Sequence, residues 1–121
     1  MKSCLIVDDS RVIRKVAARI LEELQFHTEE AEDGAAALSV CRHSMPDVIL
    51  LDWSMPNMPC QEFLRSVRKE KDGKRPKIVL CTTENDANHI ADVLGAGADE
   101  YIMKPFDKAS LSAKLAEIGA R

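Results

Sequence analysis

Four short apolar runs constrain this chain more than any other feature: Cys4-Leu5-Ile6-Val7, Val48-Ile49-Leu50-Leu51, Ile78-Val79-Leu80-Cys81 and Tyr101-Ile102-Met103. Each is continuous where a half-exposed strand would alternate, which reads as a strand covered on both faces. Between them lie helical patterns, clearest in Ile13, Val16, Ala17, Ile20, Leu21 and Leu24, whose spacing of three and four residues makes one apolar stripe. Further helices are predicted from Ala35 to about His43, Cys60 to about Lys69, Asp86 to about Leu94 and Asp107 to about Ile118. Ser10, Asp33, Asp86 and Asp107 are the expected N-caps, each able to accept a bond from an orphan amide. His27 to Ala31 is short and polar, which suits a strand at a sheet edge.

Alternating β and α units demand a parallel sheet with right-handed crossovers and helices on both faces, a three-layer α/β sandwich. In a doubly wound, flavodoxin-like sheet of five strands, the order 2-1-3-4-5 puts strands 1 and 3 side by side at the topological switch point. Ligands bind there, beyond the carboxyl ends. The 121 residues fit one such domain, taken as residues 1–121, with no linker, repeat or low-complexity segment.

Composition removes several alternatives. Hydrophobic residues make up 45% and charged residues 31%, as in an ordinary globular domain. Net charge is -3, and no Lys and Arg cluster outweighs its acidic neighbours, so neither nucleic acid nor an anionic membrane is the expected partner. The most basic stretch, Arg65 to Arg75, is interrupted by Glu70 and Asp72 and reads as the solvated end of a helix. No apolar run approaches the roughly 20 residues of a membrane span, and the start of the chain is unlike a signal peptide, which places the protein in the cytoplasm. Cys4, Cys41, Cys60 and Cys81 show no C-x-x-C spacing and are expected as reduced thiols.

The chemistry lies just past the runs: Asp8-Asp9 after the first, Asp52 after the second, Thr82 after the third and Lys104 after the last. In a parallel sheet these ends share one edge, so three carboxylates, a hydroxyl and an ammonium converge from across the chain. Three clustered carboxylates repel, and a hard divalent ion with oxygen ligands relieves them; Mg²⁺ suits a site of few carboxylates with room for phosphate oxygens. No Gly-rich nucleotide cradle occurs, so the phosphoryl donor should be another protein or a small phosphate. With Lys104 and a metal neutralising the transferring oxygens and Thr82 donating a hydrogen bond, Asp52 can attack phosphorus.

Leu5-Ile6-Val7-Asp8-Asp9-Ser10, Asp52-Trp53-Ser54-Met55-Pro56, Cys81-Thr82 and Lys104-Pro105-Phe106 resemble, in order and spacing, the signatures of two-component response regulator receiver domains of the CheY-like single-domain type. The resemblance covers the whole chain. It implies that the phosphohistidine of a sensor histidine kinase or histidine phosphotransfer protein donates to Asp52. It also implies that Asp9, Asp52 and the Ser54 carbonyl bind Mg²⁺, with Asp8 assisting through water. Lys104 would bond the phosphoryl group while Thr82 moves towards it and Tyr101 turns inward. Output would pass by protein contact through the fourth helix, fifth strand and fifth helix. The stretch Asp52 to Met58 looks especially like chemotaxis receivers, with a phosphorelay intermediate or stress regulator as the alternative. Ser54 and Glu84, two positions beyond Asp52 and Thr82, are expected to border the phosphoryl group and govern water access.

Plainer readings stand beside these. Asp8-Asp9 can simply cap a helix. Thr83 is the alternative hydroxyl to Thr82, and Tyr101 is by default a half-buried aromatic. Lys104-Pro105 can mark a strand end, although the resemblance implies a cis bond there. Pro59-Cys60 departs from the family pattern, which usually has Asp-Gly; proline suits the first turn of a helix, but cysteine adopts positive φ less cheaply than glycine, and an inert thiol is the expected role of Cys60. An aspartyl-phosphate hydrolase would normally have a second Asp where Ser54 stands, and a cofactor-binding flavodoxin-like module would not want the acidic edge.

Overall fold

The computed structural model describes residues 1–83 and 87–121. The expected Asp86 cap and Glu84 lie outside the described residues. Five strands, β1 (Ser3–Val7), β2 (His27–Ala31), β3 (Val48–Asp52), β4 (Lys77–Thr82) and β5 (Glu100–Met103), alternate with α1 (Arg11–Glu23), α2 (Gly34–His43), α3 (Cys60–Lys69), α4 (Ala87–Ala96) and α5 (Lys108–Glu117). All strands are parallel, in the order β2-β1-β3-β4-β5, which is the expected topology. No helix among the described residues is long and apolar enough to cross a membrane.

Side-chain alternation along the buried strands divides the core in two. Leu5, Val7, Ile49, Leu51, Ile78 and Leu80 join one cluster with residues of α2, α3 and Val93 of α4. Cys4, Ile6, Val48, Leu50, Val79 and Cys81 join the other, covered by Ala17 and Leu21 of α1 and Leu111 and Leu115 of α5. Burying both faces of β1, β3 and β4 is why their sequences are continuously apolar. β5 departs from that expectation: it is an edge strand, and Met103 is 38% exposed. β2 takes the other edge, as its polar sequence requires.

Local signals set the helix ends. The side chains of Ser10, Asp33 and Asp107 accept from the main-chain N–H groups of Ile13, Ala36 and Ser110, and Ser110 completes a capping box with Asp107. The stripe on α1 turns further than its spacing suggests, because Ala18 is buried while Val16 is 54% exposed. Pro59 occupies the N-cap of α3, just before the helix, with no side-chain bond. Positive φ in the preceding loop falls on Asn57 (φ 69), a residue that tolerates it, so Cys60 begins the helix without strain.

The basic stretch after Arg65 is not merely a solvated helix end. Arg68 donates from Nε and Nη2 to Gly97 O (3.0 and 2.7 Å) and from Nη1 to Gly73 O and Pro76 O (3.0 and 2.8 Å). Its Nη2 also reaches Asp99 Oδ2 at 3.0 Å, and that same oxygen accepts the Ile78 N–H. One guanidinium thus ties α3 to the start of β4 and to the turn into β5, where Gly97 (φ 133) makes the bend. Arg68→Met strands these carbonyls and is expected to lower stability by about 2–4 kcal/mol in urea unfolding, whereas exposed Arg65→Met should stay within about 0.5 kcal/mol; equal small losses would show that the clamp contributes nothing.

Candidate functional site

β1 delivers Asp8 to the carboxyl edge immediately after Val7, and the chain turns there into α1. The Asp8 N–H donates to Ala31 O (3.1 Å), and its Oδ1 accepts the Ser10 N–H (2.9 Å), so this carboxylate faces inward. Asp9, one residue on, points to the exposed side. The adjacent strand β3 ends on Asp52 itself, one residue further than the apolar run that predicts the strand. Asp8 and Asp52 are 3% and 6% exposed, an unusual burial for carboxylates without partners.

The partner comes from beyond β5. Lys104 Nζ donates to Asp8 Oδ2 at 2.8 Å and to Asp52 Oδ1 at 2.7 Å, while its main-chain N–H donates to Thr82 O at 2.9 Å. The Lys104–Pro105 bond is cis. Carboxylate oxygens of Asp8, Asp9 and Asp52 all lie within 4.8 Å of one another. Oxygens around an octahedral Mg²⁺ sit roughly 3 to 4 Å apart, so small side-chain rotations would suit this donor set to a hard divalent ion. Three carboxylates against one ammonium also leave the cluster negative.

Electrostatics shows the strain. Burial pushes the Asp52 carboxyl above its ordinary value and the Asp8 charge adds to this, while Lys104 and the Ser54 main-chain N–H pull it down. For Lys104 the largest effect is burial, which favours loss of the proton, but its bonds to Asp52 and Asp8 outweigh it and hold the ammonium above its ordinary value. An ion pair alone would lower Asp52 as it raises Lys104; the upward direction for both means that the dry strand end dominates at Asp52.

Asp8, Asp9, Asp52, Ser54 and Lys104 come together around an open cleft of about 220 Å³, with Ser10, Ile13, Trp53 and Thr83. Thr82 ends β4, is 1% exposed and does not line the cleft; Thr83 does. Tyr101 is half-buried on β5, packed on the core, with Lys114 Nζ 5.1 Å from its ring centre. All four cysteines are free and buried, and burial raises the Cys60 thiol, which fits an inert role.

Two neighbours of the site carry no strong sequence signal. Trp53 meets His89 of α4 edge-on, with ring centres 3.5 Å apart. Arg14 donates to the main-chain carbonyl of Asp8 at 2.8 Å and to Glu30 at 3.1 Å. A Glu in a polar edge strand facing an Arg one turn into α1 is the only trace of that link in the sequence.

Comparison with known proteins agrees with this geometry. Residues 4–116 match the family model of the response regulator receiver domain. The chemotaxis protein CheY-3 of Vibrio cholerae is 35% identical over 118 residues, 97% of this chain and 91% of that protein. The chemotaxis protein CheY of Pseudomonas aeruginosa is 34% identical, with 97% and 95% covered. Among solved structures, Vibrio cholerae CheY4 superposes with a TM-score of 0.92 at 32% identity, covering 98% of each chain. The receiver domain of a Pseudomonas aeruginosa sensor histidine kinase, with magnesium coordinated in its active site cleft, does so at 0.87 and 28% identity, again covering 98% of each. With the sheet order, the acidic edge and its lysine all in place, the chain belongs to the response regulator receiver domain family and is a CheY-like receiver of phosphorelay signalling.

Proposed function

We propose that this receiver is a phosphorylation switch in which Asp52 accepts a phosphoryl group from the phosphohistidine of a sensor histidine kinase or histidine phosphotransfer protein. The observation that carries this reading is the single ammonium of Lys104 bonded to two buried carboxylates at the mouth of an open cleft. An Asp52 oxygen forms the new bond to phosphorus as the P–N bond breaks. The electron pair returns to the imidazole, which takes up a proton. Asp9, Asp52 and the Ser54 carbonyl would hold Mg²⁺, with Asp8 bonded through water; when bound, the ion supplies charge neutralisation for the transferring oxygens.

The chain's own residues supply the rest. Burial keeps water from solvating Asp52, and Lys104, already 2.7 Å from it, is placed to bond the phosphoryl group. Thr82 ends the neighbouring strand and is assigned the hydroxyl that moves towards this group, with Thr83 on the rim as its competitor. Ser54 and Glu84 govern the approach of water, and Tyr101 turns inward in the modified state. Beside the cleft, Val16, Pro105 and Phe106 line an apolar groove of about 360 Å³ that shares Ile13, Lys104 and Thr83 with it. A protein delivering a phosphoryl group to Asp52 must sit over this mouth, so the donor covers the groove. The message leaves by protein contact through α4, β5 and α5 in the cytoplasm, in chemotaxis, as the likeness to chemotaxis proteins supports. A stress regulator or phosphorelay intermediate is the alternative pathway.

Incubation with Mg²⁺ and a small acyl phosphate should place one phosphate on the wild-type protein and none on Asp52→Asn, read by intact-mass spectrometry. Lys104→Met should reduce the yield by about ten-fold or more. Labelling of Asp52→Asn to the wild-type extent would sink the assignment.

The direction of the Asp52 shift gives a second test. A folded-state value above the ordinary 3.8 means that folding favours the protonated carboxyl. That contribution is fully present below the unfolded value and lost as pH rises through the folded one. Asn has the same shape, carries no charge and still accepts from Lys104. Without Mg²⁺, Asp52→Asn should therefore melt above wild type at pH 7, with the gap closing below about pH 4. A lower Tm at pH 7 would mean that the ion pair, not burial, dominates at this residue.

A further inference from the structure

The weakest point of the acidic cluster is the bend that carries Asp9. β1 ends at Val7 and α1 begins at Arg11, so Asp8, Asp9 and Ser10 lie outside both elements. Asp9 is also exposed, and its own packing does little to fix it. The Asp8 main chain is nevertheless held at both ends. Its N–H is bonded to Ala31 O of β2, and its carbonyl accepts from Arg14 Nη1 at 2.8 Å. Arg14 does not hang free: Nε donates to Glu30 Oε1 of β2 at 3.1 Å, and Lys15 Nζ holds the second Glu30 oxygen at 2.8 Å. The side chains of Arg14 and Glu30 are 15% and 24% exposed, and the two basic neighbours hold the Glu30 carboxyl below its ordinary value, Lys15 contributing most.

We propose that Arg14 is a positioning residue for the divalent-cation site: braced on Glu30, its guanidinium fixes the Asp8–Asp9 peptide and so aims the Asp9 carboxylate at the ion. This rests on the reading above that Asp9 is a metal ligand. The carbonyl that Arg14 grips belongs to the peptide unit leading into Asp9, so a rotation of that unit swings the Asp9 Cβ bodily. Two bonds from one planar fork, to partners on two different segments, fix this plane in a way that one bond could not. Groups that orient metal ligands typically change affinity by about 10- to 100-fold when removed.

Charge and geometry make opposite predictions for this residue. Arg14 is a cation beside a cation site, so its charge alone opposes Mg²⁺, and removing it would tighten binding. As a positioning device, its removal weakens binding. Mg²⁺ alone is titrated into the full chain at constant ionic strength, with Trp53 fluorescence and calorimetry as readouts and thermal melts in parallel. Arg14→Gln should weaken Mg²⁺ by about ten-fold or more. Arg14→Lys keeps the charge and the fold but cannot reach both partners, and should weaken it by about three-fold or more. Arg19→Gln, which loses a like charge from the exposed side of the same helix without touching Asp8 or Glu30, should stay within about two-fold of wild type. An unchanged or tighter Mg²⁺ affinity in both Arg14 variants overturns the positioning role, even if their Tm falls. No saturable Mg²⁺ binding by the wild type overturns the metal site itself, and the positioning role with it.

Discussion

The site depends on one electrostatic compromise: Lys104 stands between two carboxylates that the sheet buries. β3 lies at the centre of the sheet with both faces covered, so its last residue inherits a dry environment whatever that residue is. An ionised Asp there is costly without a partner, and a second buried carboxylate from β1 raises that cost. Lys104 offsets it with two short bonds, yet one ammonium cannot balance Asp8, Asp9 and Asp52 together. The residual negative charge would favour a divalent ion at this edge. A perfectly neutralised cluster would be more stable and less reactive.

Such a cluster needs a frame that does not relax around it, and hydrophobic packing supplies only part of one. The strands fix the ends of β1, β3 and β4 to within hydrogen-bond distance, but the bends beyond them lie outside the ladder. There the chain uses arginines. Arg14 grips the bend after β1 through one main-chain carbonyl and Arg68 the bend before β5 through several, each reaching out from a helix and each braced by an acid on or beside the sheet, Glu30 or Asp99. A planar fork with several donors suits this task, since one side chain satisfies carbonyls on separate segments. Both braces sit where connections, not strands, set the geometry.

These same residues mark where the sequence stops being legible. Continuous apolar runs announce β1, β3 and β4 because burial on both faces leaves no room for polar positions, and the chemistry follows because parallel strands bring their ends to one edge. Asp8, Asp9, Asp52 and Lys104 could therefore be found without coordinates. Met103 misled because an edge strand is apolar for only part of its surface, and Val16 because a stripe on a helical wheel does not say how far the helix is rolled. Arg14 and Arg68 were invisible for a different reason. Apart from the Glu30 and Asp99 carboxylates their partners are main-chain oxygens, which every residue has, so side-chain patterns record little of these links. Gly34 is a milder case: its lack of Cβ matters only because Met58 lies 2.8 Å from where one would be.

The bonds around Lys104 also set the direction in which a change at Asp52 must travel. Its ammonium touches Asp8 and Asp52, while its main-chain N–H is bonded to Thr82 O. Drawing the ammonium towards a phosphoryl group would loosen Asp8 on one side and load the ends of β4 and β5 on the other. Asp8 is restrained by the Ala31, Ser10 and Arg14 bonds and has little freedom to follow. β5 is an edge strand with one neighbour, and Trp53, next to Asp52, already rests on His89 of α4. The compliant route therefore runs through β4, β5 and α4 and away from β2, because the bonds that brace the bend after β1 leave the other edge of the sheet freer to respond.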